Sequence, residues 1–250
     1  PIADTSIFPT YLVSRHARDH VTVVLSGDGG DELFGGYETY AAERLAEKYQ
    51  WFPALIRRGI IEPAVGLLRP RQGKKGVINK ALRFVDGFQH PRNLSHARWR
   101  IFAGEAVRKS LFTPEARKSI VTPAGKHITD LLAAAGDRDT INRSLYTDFK
   151  SYLCDNCLVK IDRMSMAVSL ESRVPFLDRE LVELAFQIPG NMKLQGSQTK
   201  VLLKKVAARR IPRDCVYRPK EGFSMPVKNW LKDRMRPLME ELLNENVIKK

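Results

Sequence analysis

Apolar positions recur with a helical period along most of this chain. Tyr37, Tyr40, Ala41, Leu45 and Tyr49 fall on one stripe, which predicts an amphipathic helix that Pro53 interrupts. Leu202, Leu203, Val206 and Ala207 repeat at the same spacing ahead of Ile211-Pro212, and Val227, Trp230, Leu231, Leu238 and Leu242 form another apolar stripe. Thr113-Pro114 before Glu115 reads as a helix N-cap followed by proline in the first turn. One segment breaks the period. Val21-Thr22-Val23-Val24-Leu25 is short, β-branched and bounded downstream by glycines, which predicts a strand buried on both faces. It is the one strand the pattern predicts, and a buried strand needs a neighbour on each edge, so partner strands are expected from outside these residues. Arg69 to Lys75, with Pro70, Gly73 and four basic residues, reads as an exposed loop. There is no internal repeat and no low-complexity segment.

Composition narrows the class. A chain of 250 residues with 43% hydrophobic content can bury the core of one large domain or two small ones. No run of ~18 apolar residues occurs, and residues 1 to 15 lack the pattern of a secretory leader. A cytoplasmic setting without a membrane partner is therefore expected. Cys154, Cys157 and Cys215 are too few and too unevenly placed for a disulfide framework, so free thiols are expected. The Cys154-Asp155-Asn156-Cys157 pair lacks the further ligands a zinc site needs. A formal charge of +14 suits an anionic partner or a solvated basic surface. No helix-turn-helix, finger or RNA-binding signature accompanies it, so nucleic acid is not expected. The start at Pro1 without methionine and the polar end suggest a piece of a longer protein.

The chemistry gathers behind the predicted strand, in Ser26-Gly27-Asp28-Gly29-Gly30-Asp31-Glu32-Leu33-Phe34-Gly35-Gly36-Tyr37. A glycine-rich turn after a buried strand lets backbone amides approach a ligand closely, and ligands collect at that edge of α/β sheets. It is neither a Walker A loop nor a dinucleotide fingerprint, since no Gly-Lys-Ser/Thr follows and Asp31 stands where a third glycine would be. Asp28, Asp31 and Glu32 would repel bare phosphate, so their presence suggests a magnesium-phosphate site. The alternative is that Asp28 and Asp31 cap a short helix. Downstream, Asp162, Arg163, Glu171 and Arg173 are woven among Met164, Met166, Ala167 and Leu170, which predicts paired, partly buried charges. Arg218-Pro219-Lys220-Glu221-Gly222-Phe223-Ser224 presents a lysine on a turn, suited to meeting a phosphate as a point charge.

Three of these strings, in order, resemble motifs of the glutamine-hydrolysing asparagine synthetases: Ser26 to Tyr37, Arg173-Val174-Pro175-Phe176-Leu177-Asp178, and Arg218 to Phe223. The similarity runs from about Pro1 to Leu231. It implies an α/β fold, with residues 1–250 as the C-terminal portion of an ATP-pyrophosphatase-type synthetase domain. This piece would be mostly α-helical, with one or few parallel strands of an incomplete adenine-nucleotide-binding sheet. The implied enzyme uses ATP and Mg2+ to adenylate the side-chain carboxylate of aspartate. Ammonia released from glutamine by a glutaminase domain of the same full-length chain then displaces AMP.

On matching positions the resemblance places Ser26, Gly27, Gly29 and Gly30 against the nucleotide and Asp31 on magnesium-pyrophosphate. Lys220 would neutralise the leaving pyrophosphate, Asp28 would approach the substrate, and Tyr37 would position the acyl-adenylate. Glu171 and Arg173 would be supporting groups. Asp28 matches a position that is often glutamate in the family, and its shorter side chain reaches less far. A relative resembling β-lactam synthetases, acting on another acid, remains an alternative, and a homodimer is left open. No Ser-Gly-Gly-x-Asp-Ser pyrophosphate loop and no N-terminal nucleophilic cysteine occur here, so both are expected upstream, and the piece alone is expected to be inactive.

Overall fold

A computed structural model describes residues 4–69, 76–88, 90–101, 103, 105–218, 225–244 and 247. They are mostly helical, with a single two-stranded parallel sheet among the described residues, as the family resemblance implies. In chain order the elements begin with α1 (Ile7–Arg18), β1 (Val23–Leu25), α2 (Gly30–Phe34) and α3 (Glu38–Tyr49). Next, α4 (Ala54–Ile56) runs through a π-helical stretch (Arg57–Ile61) into α5 (Glu62–Gly66), followed by α6 (Val77–Gly87) and a 3-10 segment (Arg92–Arg100). Helices α7 (Glu105–Leu111), α8 (Pro114–Ser119), α9 (Lys126–Ala134) and α10 (Thr140–Asp148) lead into a second π-helical stretch (Phe149–Leu158) and α11 (Val159–Met166). Strand β2 (Glu171–Arg173) and a 3-10 turn (Pro175–Leu177) precede α12 (Arg179–Gln187), α13 (Gly190–Lys193), α14 (Val201–Ala207), α15 (Arg213–Tyr217), α16 (Val227–Lys232) and α17 (Arg236–Leu242). Two compact units result: residues 1–26, 156–173 and 218–250 form one, and residues 27–155 and 174–217 form the other.

In the first unit α1 packs on α11. Lys160 of α11 ties the start of the unit by donating to Asp4 Oδ2 at 3.0 Å and to Ser6 Oγ at 2.7 Å. Burial pushes the Asp4 carboxyl up, but hydrogen bonds from the Ser6 amide, Lys160 and Asn156 outweigh it and bring it down to about 2. The predicted strand forms over Val23–Leu25 and pairs in parallel with β2, in the register Val23↔Glu171, Val24↔Ser172 and Leu25↔Arg173.

Four sequence expectations are corrected here. A partner strand does lie within these residues. It was hidden because Glu-Ser-Arg carries no strand pattern, and its pairing rests on backbone bonds flanking the ladder, from Glu171 N to the Thr22 carbonyl and from Ser26 N to the Arg173 carbonyl. Strand β1 is not buried on both faces, for Leu25 is 73% exposed within these residues. Asp162, Arg163, Glu171 and Arg173 are exposed rather than partly buried, although Arg173 does pair with Glu171 at 2.6 Å along β2. Such a surface pair contributes about 0–1 kcal/mol. The C-terminal apolar stripe is split into α16 and α17, because Asp233 leaves helical geometry.

The second unit builds its core on α2, α3, α10 and α12. Leu33, Phe34 and Ala185 are buried in one cluster, and Tyr40, Ile141, Leu145 and Leu194 in another, with the Phe186 ring packed against both. Along α3 the buried stripe passes through Tyr40 and Ala46, while Leu45, expected on that stripe, is 55% exposed. Thr113 caps α8 as predicted, its hydroxyl accepting from the Ala116 amide. Asp139 caps α10 by accepting from the amides of Ile141 and Asn142.

Lys193 is fully buried behind that cap. Its ammonium donates to Asn142 Oδ1 at 2.8 Å and lies 5.4 Å from the Phe186 ring centre. Burial lowers this lysine from 10.5 to about 8, against the opposing pull of Asp139. Between about pH 8 and 10.5 the unfolded chain therefore binds more protons at this residue than the folded one, and stability from Lys193 rises with pH across that window. Urea unfolding at pH values spanning it should show the wild type gaining stability relative to Lys193→Met. A constant difference between the two would show that Lys193 titrates as an ordinary lysine.

Candidate active site

Strand β1 delivers the chain to Ser26, the last residue of the first unit, whose amide is held by the Arg173 carbonyl at 2.8 Å. Gly27 to Tyr37 belong to the second unit. The turn closes with the Gly30 amide donating to the Gly27 carbonyl, and α2 follows at once. Gly29 occupies the N-cap position with φ +83°, and a Cβ there would meet Leu177 Cδ2 at 2.6 Å. The position therefore demands glycine on both conformational and steric grounds. Neither aspartate holds the cap position, contrary to the helix-capping alternative. Gly27 is exposed, with open space where a Cβ would stand, so its backbone is accessible to a ligand.

Asp31, in the first turn of α2, meets Lys200 Nζ through Oδ1 at 2.8 Å. Lys200 sits at the N-cap of α14 in a left-handed backbone conformation, φ 54° and ψ 37°, which costs a non-glycine residue of order 1 kcal/mol. Gly36 makes room for the pair. A Cβ there would fall 1.6 Å from Asp31 Oδ1 and 2.5 Å from Lys200 Cε. Sequence reasoning missed Lys200, because nothing in the local pattern links it to a carboxylate so far upstream.

Glu32 does not join Asp28 and Asp31 as an acidic cluster, which corrects the grouping drawn from the sequence. It points into the protein, 2% exposed, and accepts from the Tyr37 hydroxyl at 2.5 Å. Burial raises its carboxyl above the usual range, with the Tyr37 hydrogen bond opposing. The Tyr37 ring lies against Tyr40 and Tyr152, and the Arg100 guanidinium covers it at 4.5 Å from the ring centre. Arg100 also donates to Asp148 Oδ1 at 2.9 Å, and Tyr40 donates to Asp148 Oδ2. The His96 ring stands 3.0 Å from the same carboxylate. Burial pushes the Asp148 carboxyl up, but His96, Arg100 and Tyr40 outweigh it and hold it below its ordinary value. Tyr37 is thus locked in a buried polar network that no local motif announces.

Among the described residues no group of three or more His, Cys, Asp or Glu converges as a metal cage. Magnesium beside phosphate needs only one or two carboxylates, and Asp28 and Asp31 are the half-exposed acids of this turn. Lys220 lies outside the described residues, as do the rest of Pro219 to Ser224.

The family model for asparagine synthase matches residues 1–250. An asparagine synthetase [glutamine-hydrolyzing] 1 of Bacillus subtilis is 32% identical over 98% of the chain, which spans 37% of that relative. A putative glutamine-hydrolysing asparagine synthetase of Mycobacterium bovis is 32% identical over 93% of the chain and 34% of its own length. Another from Methanocaldococcus jannaschii is 34% identical over 70% of the chain and 32% of its own length. The chain spans about a third of the length of these relatives. With the match extending over every residue and the glycine turn built around Asp31, the chain belongs to the asparagine synthase family.

Proposed function

We propose that these residues form part of an ATP-dependent ligase that adenylates a carboxylate and converts it to an amide, with aspartate as acceptor and glutamine as the source of ammonia. The observation that carries this reading is the Asp31–Lys200 pair beside a glycine turn that admits no side chain at Gly29 or Gly36. Backbone at Ser26, Gly27, Gly29 and Gly30 would approach the nucleotide phosphates. Asp31 would supply a carboxylate oxygen to magnesium-pyrophosphate, and Lys200 holds that carboxylate in one orientation. Magnesium, when bound, would offset charge on the pyrophosphate. Lys220 would neutralise the charge that develops as pyrophosphate separates.

Tyr37 is assigned to the acyl-adenylate. Its hydroxyl is directed at Glu32, so it must leave that partner to reach a substrate, or else act through its ring. Asp28, half-exposed at the turn, is assigned to the substrate side. A glutaminase domain elsewhere in the full-length chain would supply ammonia, and a cytoplasmic setting suits these substrates.

Three outcomes test this reading. The full-length protein should exchange labelled pyrophosphate into ATP only when aspartate or another acceptor carboxylate is present, and a panel of acids identifies the acceptor. Exchange without any carboxylate would overturn the adenylation mechanism. Lys220→Ala should lower kcat by about 10²-fold or more with little change in KM for ATP, as expected for losing one preorganised charge. A change in KM alone would make Lys220 a ground-state binder. Gly36→Ala, which drives a methyl group into the Asp31–Lys200 pair, should slow exchange by about 10²-fold, while circular dichroism shows the fold retained. Full exchange in that variant would remove the pair from the mechanism.

A further inference from the structure

Arg100 stands between two aromatic rings of the second unit. Its guanidinium carbon lies 4.5 Å from the centre of the Tyr37 ring and 4.6 Å from the centre of the Tyr152 ring. The two rings meet edge to face at 5.8 Å, so one planar cation is shared by both. Such contacts strengthen as they lose water, and the Arg100 side chain is only 21% exposed. The same guanidinium is anchored from behind, donating through Nη1 to Asp148 Oδ1 at 2.9 Å and through Nη2 to Thr39 Oγ1 at 3.4 Å. Burial opposes its charge, but Asp148 outweighs that and lifts the guanidinium above its ordinary value.

The chain brings these groups together from two directions. Asp148 closes α10, and the π-helical stretch Phe149–Leu158 begins at the next residue and carries Tyr152 one turn further on. Four residues apart on successive helical turns, the two side chains are neighbours, and a single guanidinium reaches both. Helical geometry of this rare kind recurs at functional sites. From the other direction Tyr37 ends the glycine turn and holds the N-cap position of α3. Tyr37 and Tyr152 are half-buried, so neither side chain is sealed in the core. A cation that served the core alone would need Asp148 and no ring. The stack on two half-buried rings beside the glycine turn fixes the rings themselves.

We propose that Arg100 is a positioning residue for the acyl side of the site, holding Tyr37 and Tyr152 as one aromatic wall against which the acceptor part of the acyl-adenylate is placed. This rests on the assignment of Tyr37 to the acyl-adenylate. It gives Arg100 and Tyr152, which no sequence motif marks, a part in orienting the acceptor carboxylate rather than the nucleotide. Lysine cannot replace arginine in that part. An ammonium would still meet Asp148, but it has no plane to lay against two rings.

The test is pyrophosphate exchange by the full-length protein carrying Arg100→Lys, Tyr37→Leu or both. In Arg100→Lys, KM for the acceptor carboxylate should rise about tenfold, the worth of a desolvated cation–π contact, while KM for ATP keeps its wild-type value. In the Tyr37→Leu background the same substitution should change neither constant, because the ring through which it acts is gone. Equal rises in both KM values, an additive double variant, or Arg100→Lys behaving as wild type would overturn the proposal. If Arg100→Lys does not fold, Tyr152→Leu leaves Asp148 and its partners in place and carries the same test, an unchanged acceptor KM being the result that overturns it. Wild-type exchange without any carboxylate would instead sink the adenylation reading on which the proposal rests. The NMR signal of isotope-labelled Tyr37 in the ligand-free protein, expected to move in Arg100→Lys, checks the positioning apart from activity, and an unmoved signal would overturn it.

Discussion

The buried carboxylate of Asp148 is the constraint on which the second unit depends. At the end of α10 it accepts from Tyr40 of α3 and Arg100 of the 3-10 segment, with His96 against it, so one charge joins three elements distant in sequence. A carboxylate taken out of water is costly unless such partners surround it, and removing one partner of a buried charge costs about 3–5 kcal/mol. That dependence explains why the 3-10 segment, whose Ser95 departs from helical geometry, can still hold Arg100 in place. Arg100 in turn covers Tyr37, and Tyr37 closes on Glu32. The glycine turn is thus supported from behind by polar contacts as well as by apolar packing.

At the front of the turn the logic is steric. Glycine at positions 29 and 36 permits the chain to bend tightly and lets Asp31 and Lys200 meet where any side chain would intrude. The left-handed backbone of Lys200 is a local cost accepted at the residue that reaches the acid. Acids at a phosphate site would repel the ligand if several converged. Here Glu32 is turned inward and Asp31 carries a cation, so the turn presents less negative charge than its sequence suggests.

The strand β1 shows apolar residues in a pattern suited to a sheet, and among the described residues it holds only the short ladder to β2.

The sequence by itself determined the helical character, the cap at Thr113, the strand at Val23–Leu25 and the glycine turn, because each rests on local periodicity or on residues a few positions apart. The family motifs were legible for the same reason. Tertiary structure alone decided that Glu-Ser-Arg pairs as a strand, since a short parallel ladder depends on backbone bonds and needs no side-chain pattern. It alone decided that Glu32 faces inward to Tyr37, that Lys200 meets Asp31, and that Asp148 gathers Tyr40, Arg100 and His96. Most of these partners lie tens to more than a hundred residues apart, and even Glu32 and Tyr37, five apart, give no local sign of which way each side chain turns. The pairings follow from how the helices pack.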